Sequence, residues 1–371
     1  MPEADFHALH TLVLWSAFTL SVAFGAVAQR THFCTMGAVA DIVNIGDWSR
    51  MRMWVLAMGV AIVAFNLMVA AGWVDASHTL YASPRLAWLS ALAGGLLFGF
   101  GMVLASGCGS KTLVRVGGGN LKSLVVFVVL GVAAFATLKG ITAVARVATV
   151  DRVAVTLATG QDLPSIVGAW FGLAKLQLAA ALGLTIGGGL MGWSLIAAPG
   201  RSAENLLGGL GIGAIVAAVW WVSGRLGHVA EDPTTLQEAF IATNSQRMES
   251  LSFVAPVAFT LDWLMFFSDK SKLLTIGIVS VAGVVVGSAG CALSTGAFRW
   301  EGFRNADDTA SHLIGAVLMG VGGVTALGCT VGQGLSGVST LSVGSFLALA
   351  AIIAGAVAAL RLQAWRIERG H

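Results

Sequence analysis

The sequence predicts an all-α polytopic membrane protein, and three observations carry that expectation. Of 371 residues, 57% are hydrophobic and only 11% charged, whereas soluble domains carry about 25% charged residues. Several apolar runs contain no Asp, Glu, Lys or Arg over about 18 or more residues, the length that crosses a bilayer's hydrocarbon core. There are 12 Trp. Trp15, Trp48, Trp54, Trp73, Trp88, Trp170, Trp193 and Trp365 sit near the ends of apolar runs, where indole rings anchor at a membrane interface. The net charge of +3 is dispersed. It forms no basic run of the kind that grips nucleic acid.

Taken in chain order, nine spans are expected at 11–28, 53–72, 86–106, 121–138, 170–192, 205–223, 273–295, 312–328 and 341–360. Met1 to His10 has neither the basic start nor the small-residue cleavage site of a signal peptide, so the first run is read as retained. The apolar run 251–267 is short and interrupted by Pro256 and Asp262, which predicts an interfacial or re-entrant piece. Segment 139–168 carries Arg146, Asp151 and Arg152 and is expected along the surface or in a loop. His228 to Ser250 is the longest polar stretch, with a helix start at Asp232–Pro233, Asp capping and Pro in the first turn. Arg361, Arg366 and Arg369 follow the last span, while no Lys or Arg precedes the first. The positive-inside rule then puts the N-terminus outside and the C-terminus in the cytoplasm. Lys270 and Lys272 fit that orientation badly.

An internal repeat is visible within what reads as one transport domain over 1–371. Gly94 to Cys108 (GGLLFGFGMVLASGC) lines up with Gly315 to Cys329 (GAVLMGVGGVTALGC). The first repeat is read over about 11–138 and the second over about 273–360, with 139–272 connecting them. A weaker echo pairs Phe33–Gly37 with Phe298–Gly302. With nine spans the two Gly-Cys ends finish on opposite faces, the inverted arrangement by which transporters build midplane sites from broken helices.

The four cysteines, Cys34, Cys108, Cys291 and Cys329, are far apart in sequence, with no CxxC pair and no metal-ligand spacing. Cys291, in a Val/Gly-rich run, reads as a small buried apolar residue. The other three follow apolar runs beside helix-breaking or polar residues: His32-Phe33-Cys34-Thr35, Ser106-Gly107-Cys108-Gly109-Ser110-Lys111, and Gly328-Cys329-Thr330-Val331-Gly332-Gln333. Each Gly costs a helix interior about 1 kcal/mol. Gly107, Gly109 and Gly328 therefore mark places where the backbone turns. Non-helical backbone at membrane depth survives only where it lines a cavity or is buried in protein, and successive N–H groups in such a turn cradle anions. Thiols beside backbone donors suit a soft, sulfur-bearing anion. Lys111, three residues after Cys108, draws an anion or simply obeys the positive-inside rule; Arg299 and Glu301 read as gate charges or as solvated loop ends. Gly95, Gly99, Gly187 and Gly320 read as close-packing residues between helices. No carboxylate pair, Ser/His/Asp set or phosphate loop is present.

These segments resemble the YeeE/YedE (sulfur-transport) family. The residues that carry the resemblance are RTHFCTMGAVAD at Arg30–Asp41, SGCGSKTLVRVGGGN at Ser106–Asn120, FRWEGFR at Phe298–Arg304 and GCTVGQGLSGVSTLSVGS at Gly328–Ser345. The resemblance implies nine spans plus short re-entrant helices from both faces, an hourglass narrowed at mid-membrane, and thiosulfate uptake at the inner membrane. By motif the family's three functional cysteines fall on Cys34, Cys108 and Cys329; the residues around them, Gly107, Gly109, Lys111, Gly328, Thr330, Gln333, Arg299 and Glu301, are read from the sequence itself as supporting. Neither cofactor nor metal is implied. A small TusA-like sulfur carrier is the partner that the resemblance suggests. Segments 139–168 and 228–250 look like additions to a minimal member, which leaves another sulfur or selenium species open as substrate. The rival readings are a membrane sulfurtransferase or thiol oxidoreductase, and a non-transporting scaffold.

Overall fold

Each expected span has a helical counterpart in the computed structural model, which describes residues 3–232 and 236–369, but the fifth, expected at 170–192, runs over 175–196 after a break at 172–174. In chain order, α1 is Glu3–Arg30, α2 Thr35–Ile45, α3 Ser49–Ala70, α4 Trp88–Leu104, α5 Gly109–Gly117, α6 Leu121–Lys139, α7 Ile141–Ala148 and α8 Leu163–Phe171. There follow α9 Lys175–Leu182, α10 Gly188–Ile196, α11 Ala203–Trp221, α12 Ala255–Met265, α13 Ile276–Ser294, α14 Ala306–Thr325 and α15 Val343–Glu368. Helices α9 and α10 are one rod joined through a π-turn at Gly183–Gly187. Among the described residues, eight helical segments are long and apolar enough to cross a membrane. The ninth expected span is α14, whose first turn carries Asp307 and Asp308 ahead of its apolar body. The short run around Pro256 forms the 11-residue α12, with Pro in its first turn. Segment 139–168 begins on the outside as α7, with no buried residue in that helix, and a 3-10 turn, but its later part turns inward, where Gln161 and Asp162 are buried ahead of α8.

Among the described residues the sheet content is two small antiparallel ladders, Arg85–Leu86 with Val155–Thr156 and His228–Val229 with Ala239–Phe240. The second folds the long polar stretch into a hairpin. The helix start expected at Asp232–Pro233 falls on 233–235, outside the described residues.

Glycine sets how closely the rods approach. A methyl group at Gly94 would lie 2.7 Å from the Gly322 carbonyl oxygen, and one at Gly101 would lie 2.7 Å from that of Gly315. Conversely, Cβ atoms at Gly322 and Gly315 would lie 2.6 Å from the carbonyls of Gly94 and Gly101. The two matched segments thus cross antiparallel, each packing on the other's equivalent residues. Gly99 faces Ile352 of α15 in the same way that Gly320 faces Leu130 of α6. Small residues let backbones touch in this manner where no water-driven hydrophobic term operates between helices. The packing role expected for Gly95, Gly99, Gly187 and Gly320 holds: each abuts a neighbouring helix.

Two expectations need correction. Trp54 is no interfacial anchor. It is 2% exposed, and its six-membered ring packs on Gly334 in the interior. The echo of Phe33–Gly37 in Phe298–Gly302 has no structural counterpart, because Phe33–Gly37 opens helix α2 while Phe298–Gly302 is a loop between α13 and α14. The element that packs on α6 and α13 as α2 packs on α15 and α3 is α12.

Candidate functional site

Each of three long helices ends the same way. At His32 (φ 51°), Ser106 (φ 56°) and Leu327 (φ 59°) the backbone enters the left-handed region. The next residue donates back five positions: Phe33 N–H to Ala28 O at 3.2 Å, Gly107 N–H to Met102 O at 2.8 Å, and Gly328 N–H to Gly323 O at 2.8 Å. This is the hydrogen bond that closes a helix C-terminus in a Schellman motif. The residue after that is cysteine in all three cases.

Each cysteine then starts a new, short helix. Cys34 caps α2, its sulfur accepting from Gly37 N–H at 3.3 Å. Cys108 caps α5, with Sγ 3.3 Å from Ser110 Oγ. Cys329 precedes a helix over 330–339 whose centre, Gly332–Gly337, is π-helical, and its sulfur accepts from Gly332 N–H at 3.4 Å. The backbone N–H groups of Phe253 and Val331 also approach this thiol. The first N–H groups of a helix lack intrahelical partners and carry its positive pole, so three thiols sit where an anion is favoured. All three cysteines are buried, and Cys108 lies within electrostatic range of Cys34 on one side and of Cys329 on the other. Cys291, half-buried on α13, has no such setting.

The supporting residues divide. Gly107 leaves room for the Lys111 stem, since a Cβ there would meet Lys111 Cγ at 3.2 Å. Gly109 lies against the Phe253 carbonyl, and Gly328 against the Gln333 side chain. Thr330 is fully buried with its hydroxyl unpartnered; Gln333 donates through Nε2 to Ala326 O and leaves Oε1 unpartnered. Arg299 and Glu301 are not beside the thiols. Their backbone pairs with the α5–α6 turn, Arg299 N–H to Gly118 O at 3.0 Å and Leu121 N–H to Glu301 O at 2.9 Å, and the Glu301 carboxylate accepts from Asn120.

Polar anchors hold the third helix from several sides. Asn66 Nδ2 donates to Ser339 O at 2.9 Å, Trp220 Nε1 to Ser339 Oγ at 3.0 Å, and Ser336 Oγ to Leu251 O at 2.7 Å. None of these partners was legible as such, because each contact joins residues more than 80 positions apart.

Cavities open at both ends of the bundle. One of about 610 Å³ is lined by His32, Cys34, Arg50, Lys111 and Arg115. Another of about 630 Å³ shares His32, Lys111 and Arg115 with it and adds Lys122, Arg299 and Glu301. At the rim of the first, Asp47 is held below the usual carboxylate range by the Ser49 hydroxyl and N–H, at 2.6 and 3.0 Å. A third cavity, of about 290 Å³, takes in Leu138 at the far end of α6 and Gly323 and Val324 near the end of α14. It therefore opens at the opposite end, and it contains Gly328, the neighbour of Cys329, together with Tyr81 and Glu249. Sequence reasoning missed both: the single Tyr and a Glu within a polar stretch carry no spacing signal. Among the described residues no group of three or more His, Cys, Asp or Glu is arranged to hold a metal ion.

The Sulphur transport family model matches residues 30–358. A protein of Spirochaeta thermophila named thiosulfate transporter TsuA is 25% identical over 357 residues, covering 92% of this chain and 97% of its own length. Its Escherichia coli namesake is 27% identical over 327 residues, 87% of each chain. A probable transporter YedE of Salmonella typhimurium is 34% identical over 110 residues, 29% of this chain and 25% of its own.

Proposed function

The chain belongs to the Sulphur transport family, and from that premise we propose that this multi-pass membrane protein carries thiosulfate across the inner membrane into the cell. In this reading Cys34, Cys108 and Cys329 pass the dianion along by replaceable S–H hydrogen bonds. The observation that carries the reading is the thrice-repeated break in which a left-handed residue, a spacer and a buried cysteine cap the positive end of a new helix. Thiols suit the task while neutral, since a thiolate repels a dianion and has no proton to donate; free Cys titrates near about 8.5. Weak, multiple contacts let the anion leave as well as enter. Lys111, Arg115 and Arg50 draw it to the broad basic mouth, which the positive-inside rule assigns to the cytoplasm, leaving the N-terminus outside and the C-terminus inside. A TusA-like carrier is the partner expected at that mouth.

The packing also supports a larger repeat than the sequence outlined. Helices α1–α6 form one half and α11–α15 with the 330–339 helix form the other, inverted half, since α1 packs on α13 as α11 packs on α3. Midplane sites made from broken helices are what such halves build.

The test is uptake of labelled thiosulfate into proteoliposomes holding the purified protein. Uptake above protein-free vesicles, diminished by excess unlabelled thiosulfate and not by sulfate, is expected. Vesicles that take up none, with protein whose intact mass gains a stable sulfur after thiosulfate treatment, would replace transport by sulfurtransferase chemistry.

A further inference from the structure

The cavity remote from the basic mouth is mostly apolar, with Tyr81, Arg146, Ser245, Glu249 and Ser252 among its lining. Its floor adjoins the third thiol: a Cβ on Gly332, whose N–H bonds Cys329 Sγ, would lie 2.6 Å from Ser252 Oγ and 3.5 Å from the Tyr81 hydroxyl. Tyr81 stands within electrostatic range of both Cys329 and Glu249. Glu249 lines the same cavity, its Oε1 accepting from Ser245 N–H at 2.8 Å and Ser245 Oγ at 2.6 Å. Ser223, in the π-helical turn Val222–Leu226 that follows α11, fixes the backbone of the same residue, donating to Glu249 O at 2.5 Å. A carboxylate has thus been built rigidly into the approach to a site proposed to take a dianion.

The other charges facing this carboxylate are few. Arg146 lines the cavity and is paired with Asp151 at 3.1 Å. Arg247 turns to the Thr79 carbonyl at 3.4 Å. His78 and His228 are engaged with Glu238 at 4.0 and 2.7 Å, in the neighbouring hairpin. No cation forms an ion pair with Glu249 among the described contacts, so its charge in the cavity is offset by hydrogen bonds alone. An ionised carboxylate and a dianion within one small, poorly hydrated space repel strongly. A protonated carboxyl does not, and it offers a donor.

We propose that Glu249 is the acid–base gate of an outer anion vestibule formed with Tyr81, Ser252 and Arg146, which admits the anion to Cys329 only while the Glu249 carboxyl carries a proton. The proposal rests on the transport reading above and names the residue that governs entry. Burial pushes the Glu249 carboxyl above its ordinary range, against the Ser245 hydrogen bonds that favour the charged form. The sign follows: the neutral, admitting form prevails at low pH and is lost as pH rises through the raised value.

The experiment is thiosulfate uptake into proteoliposomes with equal pH inside and out, so that no proton gradient drives it, compared from pH 5.5 to 8 for wild type, Glu249→Gln and Ser245→Ala. Wild-type uptake is expected to fall several-fold as pH rises. Glu249→Gln, permanently neutral, should stay at the acid-side rate throughout. Ser245→Ala, which removes the hydroxyl hydrogen bond that favours the anionic carboxylate and keeps the backbone one, should move the fall to higher pH. A pH-independent wild type, or a Glu249→Gln profile that still falls like wild type, overturns the gate while leaving transport intact; the latter result would assign the fall to thiol ionisation. No uptake by wild type at any pH would instead overturn the transport reading. Should Glu249→Gln fail to insert, the direction of the Ser245→Ala shift decides alone, and an unmoved profile refutes the gate.

Discussion

Leu327 and Leu341 hold left-handed backbone at φ 59° and 56°, where a branched side chain costs roughly 1–2 kcal/mol. The two positions differ in what glycine would cost there. Leu327 is 54% exposed, and Leu341 is 0% exposed. At Leu327, relief of strain outweighs the greater freedom glycine gives the unfolded chain, about 0.4–1 kcal/mol. Leu327→Gly should therefore raise the midpoint of thermal unfolding in detergent. Leu341→Gly should lower it, because emptying a buried leucine site costs about 2–5 kcal/mol. The same contrast explains what the sequence hid. Left-handed C-caps are usually Gly or Asn, yet the positions two before each thiol are His32, Ser106 and Leu327. The three cysteines were legible through the glycines beside them; the common geometry that aims them was not. Glu249 was equally silent, because only the fold brings Ser245 and the Tyr81 loop around it.

At the scale of elements, the legible part was the matched Gly94–Cys108 and Gly315–Cys329 segments. Their shared glycines are the surfaces on which α4 and α14 cross. Gly101→Ala should destabilise the protein, since its methyl would stand 2.7 Å from the Gly315 carbonyl and overpacking costs about 1–3 kcal/mol. Gly188→Ala on α10 should be neutral or stabilising, because nothing lies within 4 Å of that position and Ala is the better helix former by about 1 kcal/mol. Thermal unfolding of the two variants in one detergent checks the pair, and equal effects would refute the packing account. What failed was the Phe298–Gly302 echo. Chance similarity of five residues outweighed topology there, while α12, the true neighbour of α6 and α13, shares too little of the motif's spelling to be noticed.

For the molecule as a whole, the basic side chains that line these three cavities concentrate at one end: Arg50, Lys111, Arg115, Lys122 and Arg299 line the two larger ones, while Arg146 lines the third. Cys34 lines the first of these cavities, and Cys108 lies within electrostatic range of both Cys34 and Cys329. If the three act as a relay, the middle one has no substitute. The most direct measurement is labelled thiosulfate uptake by proteoliposomes holding Cys108→Ala at the same protein density and with the same monodisperse elution as wild type. Replacing a small buried side chain by Ala keeps the helix start, so the expected result is uptake at the protein-free background with the fold preserved. Uptake at the wild-type rate would contradict the account.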